Sequence, residues 1–177
     1  MKIVPAVFER HAAPMLELLN DAVVRTTWVY DCEPHPESFM REYFEKHAAG
    51  NYPVFAAESD EGAFLGFASC GSYRPHEGYL HAAEHSVYVV PSARRKGVGT
   101  ALLARLEDEC RARGFHTLIG VIDSGNLPSI ELHRKCGYVH AGVIREAGRK
   151  FGRWLSIVYY QKILSSGPRT DSSSKPG

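Results

Sequence analysis

Apolar positions alternate or cluster in short runs at several places along the chain, and recur at three- and four-residue spacing at others. Lys2–Val7, Pro53–Glu58 and Phe64–Gly71 have strand character, the last two joined by the turn residues Asp60-Glu61-Gly62. Val87 to Val90 is a β-branched and aromatic run that Pro91 ends, since proline has no N–H to donate. Thr117–Ile122 is mostly apolar, as expected of a strand buried on both faces. Val139–Arg145 and Leu155–Leu164 are predicted as the last two strands, joined by a basic loop. Helical spacing predicts four helices. Pro14–Val24 carries Leu16, Leu19 and Val23 on one face, with Pro14 at its first position. Glu37–His47 carries Phe39, Tyr43 and Phe44 and is ended by Gly50 and Asn51. Val98–Arg113 carries Ala101, Leu102 and Leu106, and Pro128–Lys135 is closed by Gly137. Thr26–Tyr30 is an irregular link and Tyr73–Ala83 a loop rich in aromatics. The order β-α-α-β-β-β-α-β-α-β-β predicts an α/β (α+β) fold, a mixed sheet with helices on both faces.

The chain has 177 residues, enough for one domain with a substantial core, expected over residues 1–164. Residues 165–177 are serine, proline, glycine and charge, the composition of a disordered tail. A net charge of +1 argues against nucleic acid as the main partner. The four cysteines form no C-x-x-C pair, which fits free thiols in a reducing compartment. No H-E-x-x-H pattern occurs among the nine histidines, and no metal set is visible. There is no basic flank with an apolar run at the N-terminus and no stretch of transmembrane length, so the expectation is a cytoplasmic protein without a membrane partner.

The candidate chemistry concentrates between Glu84 and Thr100. A strand, the turn Ser92-Ala93-Arg94-Arg95-Lys96-Gly97 and a helix beginning at Val98 make an anion site. The first helical N–H groups have no partner inside the helix, and the dipole adds partial positive charge there. Gly97 and Gly99 keep side chains away from the backbone, and Arg94, Arg95 and Lys96 add charge for a di- or triphosphorylated ligand. A solvated basic turn capping a helix is the plainer reading of the same residues. The P-loop ending is missing, because Gly99 is followed by Thr100 and Ala101. The dinucleotide fingerprint is missing too: Leu102 stands where its third small residue belongs.

The spacing Arg94-x-x-Gly97-x-Gly99 resembles the Q/R-x-x-G-x-G/A loop of the GNAT superfamily of N-acetyltransferases. Three further stretches stand in order with it: Glu84-His85-Ser86-Val87-Tyr88-Val89, Asn126-x-x-Ser129-Ile130-x-Leu132-His133-x-x-x-Gly137-Tyr138, and Gly148-x-Lys150-Phe151-Gly152-Arg153-Trp154. Together they resemble the phosphinothricin and methionine-sulfoximine acetyltransferase branch, over about Val4 to Leu164. The resemblance implies the GNAT fold, with a mixed, mostly antiparallel central sheet. It implies acetyl-coenzyme A as co-substrate, with its pyrophosphate on the loop and the first turn from Arg94 to Thr100, Val98 included. Its pantetheine arm would pair with the backbone of Val87, Tyr88 and Val89; as side chains, Val87 and Val89 are equally core.

The reaction implied is attack of a primary amine on a thioester, which needs a base because an alkylammonium has a pKa of roughly 10. Glu84 matches the branch's proposed base; without the resemblance it is a solvated glutamate at a strand edge. Asn126, Ser129 and His133 share one face of the short helix. Asn126 caps that helix, contacts the cofactor, or both. His133 stands where many family members have a tyrosine that protonates the thiolate, and is otherwise a structural histidine. Arg74 and Tyr30 match branch positions that bind the acceptor, and Lys150, Phe151, Arg153 and Trp154 are candidates to complete the pocket, from this chain or a partner subunit. Arg153 and Trp154 also suit a plain cation–π pair. The departure is Leu80, where many branch members carry arginine. The expected function is acetyl transfer to a small amino-acid-like amine of phosphinothricin, methionine sulfoximine or methionine sulfone type. An idle acyl-coenzyme A sensor and a protein or peptide N-acetyltransferase are the alternatives. A homodimer is expected from the aromatic surface of the last two strands: Phe151, Trp154, Tyr159 and Tyr160.

Overall fold

In the computed structural model, residues 1–164 are described; the expected tail over 165–177 lies outside the described residues. Among the described residues seven strands form one sheet in the order β1-β2-β3-β4-β5-β7-β6. The elements are β1 (Lys2–Pro5), α1 (Phe8–Arg25), α2 (Ser38–Ala49), β2 (Val54–Glu58), β3 (Phe64–Ser72), β4 (Ala82–Val89), α3 (Val98–Ala112), β5 (Thr117–Asp123), α4 (Leu127–Lys135), β6 (Val139–Lys150) and β7 (Arg153–Ile163). Every neighbouring pair is antiparallel except β4 and β5. Strand alternation sends side chains to two cores. Ala68, Cys70 and Ala83 pack with Val98, Leu102 and Leu106 of α3, whereas Phe67 packs with Met15 and Leu18 of α1 and Met40 of α2. The helices therefore cover opposite faces. Among the described residues no helix is long and apolar enough to cross a membrane.

Three boundaries differ from expectation. α1 starts at Phe8, so Pro14 lies inside it, where its ring takes one N–H out of the helical ladder. Buried His11 sets the earlier start: its Nδ1 accepts from the Val7 N–H at 2.9 Å, and its Nε2 donates to Glu58 of β2 at 2.9 Å. A histidine pinned to a neighbouring strand thus fixes the start that the sequence signal placed at proline. The basic loop after Arg145 is mostly strand. β6 and β7 continue to a two-residue turn, Phe151 and Gly152, with φ of 50° and 75°, the left-handed pair such hairpins require. Finally, β4 begins at Ala82, so Glu84 is its third residue.

Candidate active site

β4 and β5 form a ladder over four pairs only, from Ala82/Thr117 to His85/Gly120. Beyond His85, β4 stays paired to β3 as far as Val89, while β5 follows β7 as far as Asp123. The strands part, and among the described residues the β5-facing edge of β4 over Ser86–Val89 has no strand partner. A cavity of about 920 Å³ opens there, between α1 on one side and α4 on the other.

One end of the cavity is the basic turn. Gly97 is the N-cap of α3 at φ 84°, in open space, so glycine provides the left-handed turn. The first intrahelical bond is from Ala101 N–H to Gly97, which leaves the N–H groups of Val98, Gly99 and Thr100 without helical partners. Val98 is core, contributing only backbone, and Lys96 is exposed. Gly99 serves a second purpose that its spacing did not show: a Cβ there would stand 3.0 Å from Leu132 Cδ2, so its absence lets α4 approach α3. Arg94 donates from Nε to the Val89 carbonyl at 3.1 Å and lies 5.4 Å from the ring of Trp28. Trp28 lines the cavity beside Arg95, Thr100, Asn126 and Ser129. Asn126 caps α4, its Oδ1 accepting from Ser129 N–H at 3.2 Å.

The other end is polar and buried. His133 and His85 both line the cavity, at 2% and 4% exposure, with their Nε2 atoms 2.9 Å apart. His133 Nδ1 donates to the Ser129 carbonyl at 2.7 Å. Burial pushes His133 below the usual imidazole range, against the pull of that carbonyl. Burial, and then His133, pushes His85 down to about 3. Asp123 is 5% exposed and lines the cavity where β5 ends. It accepts from the Tyr30 hydroxyl at 3.1 Å and from the Gly125 N–H at 2.8 Å. Burial first, and Asp123 second, pushes the Tyr30 hydroxyl well above its ordinary range.

The acceptor-side candidates are more dispersed. Glu84 is half-buried on the α1/α2 face of β4, opposite His85, and does not line the cavity. Burial raises its carboxyl above the usual range, and nearby Arg74 opposes the shift. Arg74 itself is exposed and stacked on Tyr73 at 4.5 Å. Lys150 is 3% exposed and gives its ammonium to the Val29 carbonyl at 2.6 Å, anchoring the link between α1 and α2 onto β6. Burial lowers its pKa. Arg153 lines a smaller hollow of about 260 Å³ with Trp28 and Phe151. Trp154 is exposed, and the guanidinium above it at 5.8 Å belongs to Arg149 rather than to Arg153.

The model of the acetyltransferase (GNAT) family matches residues 16–138. The chain belongs to the GNAT acetyltransferase family. An L-methionine sulfoximine/L-methionine sulfone acetyltransferase of Pseudomonas aeruginosa is 40% identical over 150 residues, 85% of this chain and 87% of the relative. A phosphinothricin N-acetyltransferase of Alcaligenes faecalis is 40% identical over 149 residues, 83% of this chain and 75% of the relative. A solved GNAT phosphinothricin acetyltransferase of Sinorhizobium meliloti, in complex with acetyl-coenzyme A, superposes with a TM-score of 0.89 at 32% identity, covering 99% of this chain and 92% of its own.

Sequence reasoning missed Trp28, His85 and Asp123. Each acts through a neighbour distant in sequence, which no local spacing reveals. Gly148 is a fourth case: a Cβ there would meet the Tyr30 ring at 2.6 Å, so β6 needs glycine to pass beneath a ring tethered to Asp123. Gly148→Ala should therefore cost about 1–3 kcal/mol, the usual penalty of overpacking. Urea denaturation checks this; an unchanged midpoint would show that Tyr30 is not tightly seated there.

Proposed function

We propose that this chain moves the acetyl group of acetyl-coenzyme A to the primary amine of a small amino-acid-like acceptor of methionine sulfoximine, methionine sulfone or phosphinothricin type. The observation that carries this is the parting of β4 and β5, a strand edge left open beside a helix N-terminus. The unpaired edge over Val87, Tyr88 and Val89 suits an extended pantetheine arm added as a strand. The free N–H groups from Val98 to Thr100, with Arg94, Arg95 and Lys96, suit its pyrophosphate, and Asn126 and Ser129 suit the opposite wall.

On the acceptor side, Arg74 suits the carboxylate of an amino acid, and Tyr30 walls the pocket. Lys150 contributes by seating the Tyr30 link, while Arg153 and Trp154 lie on the hairpin that borders it. Glu84 takes a proton from the attacking ammonium, directly or through a water. A carboxyl raised by burial is a stronger base than an ordinary one. The amine then adds to the thioester carbonyl, the tetrahedral adduct collapses, and the thiolate leaves on the side of His133, the candidate to return a proton as an imidazolium, the one proton of its neutral form being held by the Ser129 carbonyl. The setting is cytoplasmic, and no nucleic acid or membrane is involved.

Glu84→Gln keeps the shape and removes the basicity, so turnover at neutral pH should fall about 10²–10⁴-fold with the KM for acetyl-coenzyme A nearly unchanged. Glu84 works ionised and its pKa is raised, so wild-type turnover falls as pH drops through that value. The gap between the two enzymes should narrow toward the acceptor's own pKa of roughly 10, where the amine deprotonates unaided. Thiol release over pH 6–9.5 with methionine sulfoximine, methionine sulfone and phosphinothricin reads both effects. A constant wild-type-to-variant ratio excludes Glu84 as base, and saturable cofactor binding with no thiol released from any amine marks a sensor instead.

We further propose a homodimer. β6 is an edge strand exposing Val139, Val143 and Ile144, and the adjoining hairpin exposes Phe151 and Trp154, whereas Tyr160 of β7, expected in that surface, is turned into the core and Tyr159 is half-buried. An apolar edge of that length invites pairing unless it is covered. Light scattering at micromolar concentration should give twice the chain mass of 19.7 kDa; a value equal to that mass would refute it.

A further inference from the structure

Two cations of the cavity wall have no part in the chemistry above. Arg134 and Lys135 stand in the last turn of α4, both exposed, and both line the cavity. Packing between helices brings them to the end where α3 begins. Gly99 has no Cβ, so Leu132 of α4 closes on the first turn of α3, and the Cys136 side chain lies beside the Thr100 hydroxyl. The C-terminal end of α4 thus borders the N–H groups of Val98, Gly99 and Thr100 that have no helical partner.

Cations at that end of a helix also offset the partial negative charge of its carbonyls, a role that asks nothing of the cavity. His133 is in the same turn, but it is buried and both its nitrogens are held inside the protein. Arg134 and Lys135 differ: among the described residues neither has an ion-pair partner. Glu131, the carboxylate of the same rim, stands three and four residues before them and pairs with neither. A guanidinium and an ammonium side by side on a cavity wall suit a phosphate, the one as a planar fork and the other as a point charge.

Acetyl-coenzyme A carries two separate anionic groups at its nucleotide end. The diphosphate is the one assigned above to the basic turn and the start of α3. The 3′-phosphate is a monoester with a charge of about −1.5 to −2 at pH 7, and it calls for cations of its own. Arg94 is poorly placed to supply one, because its Nε is already given to the Val89 carbonyl. We propose that Arg134 and Lys135 bind the 3′-phosphate, so that the site selects acetyl-coenzyme A over acetyl-dephospho-coenzyme A, which lacks that group. This rests on the acetyl-coenzyme A reading and names the residues that distinguish the nucleotide end of the cofactor.

Calorimetric titration of the full chain with the two coenzymes at low salt tests this. The wild-type protein should bind acetyl-coenzyme A about 10-fold more tightly than acetyl-dephospho-coenzyme A, the scale of a pair of exposed charge-assisted contacts. The double variant Arg134→Gln/Lys135→Gln should lose that preference, with acetyl-coenzyme A weakened about 10-fold and the dephospho form changed by less than about twofold. Arg95→Gln, on the diphosphate side, should weaken both coenzymes by a similar factor and keep the preference. Equal affinity of the wild-type protein for the two coenzymes overturns the proposal. So does a double variant that keeps the wild-type preference, which is what a role confined to the helix dipole would give. If the double variant does not fold, the wild-type ratio and Lys135→Gln decide, the latter expected to cut the preference about threefold. A wild-type protein that binds neither coenzyme refutes the acetyl-coenzyme A reading itself, and the proposal with it.

Discussion

A parallel pair of strands that stops pairing after four residues leaves backbone N–H and C=O groups facing one another across a gap. Buried backbone groups without partners are costly, so such a gap persists only where the surrounding structure holds it open or a ligand fills it. Here the flanking pairings hold it open. β3 keeps β4 straight as far as Val89, and β7 draws β5 away as far as Asp123. α3 begins just beyond the end of β4, so its free N–H groups lie at one end of the same gap. The open strand edge, the free helix N-terminus and the buried histidines thus share a single cause in the sheet.

The two faces of β4 divide the chemistry. Odd positions, His85 among them, look toward α3 and α4; even positions, Glu84 among them, look toward α1 and α2. Adjacent residues of one strand thereby serve opposite sides of the gap. On one side burial keeps two imidazoles neutral, and on the other it strengthens a carboxylate as a base, because removing water disfavours whichever form is charged. The link between α1 and α2 is fastened over this arrangement by Lys150 at Val29 and by Tyr30 at Asp123.

Much of this was legible in the chain itself. Strand runs, helix spacing and the glycines from Arg94 to Gly99 are local signals, and they located the strands, the helices and the turn that opens α3. What escaped were interactions between residues far apart. Pro14 suggested a helix start, but His11 begins the helix earlier by bonding across to Glu58, 47 residues away. His85 looked like one polar residue in a strand, and its meaning depends on His133, 48 residues on. Lys150 was read as a candidate to complete the acceptor pocket, whereas its ammonium is held by a carbonyl 121 residues earlier. Asp123 carried no motif, and only the fold brings Tyr30 to it. Charge and spacing name the residue types a site needs; which of them remain free for a ligand is decided by tertiary contacts.

The claim on which the rest depends is that the gap between β4 and β5 receives acetyl-coenzyme A. Backbone amide spectra of the ¹⁵N-labelled protein during titration with acetyl-coenzyme A test this without assuming any acceptor or base. Saturable shifts should concentrate at Ser86–Val89, Gly97–Thr100 and Asn126–Ser129, while β1 and α2, on the far side of the sheet, stay in place. Saturable shifts centred elsewhere, or none at millimolar ligand, would contradict the account.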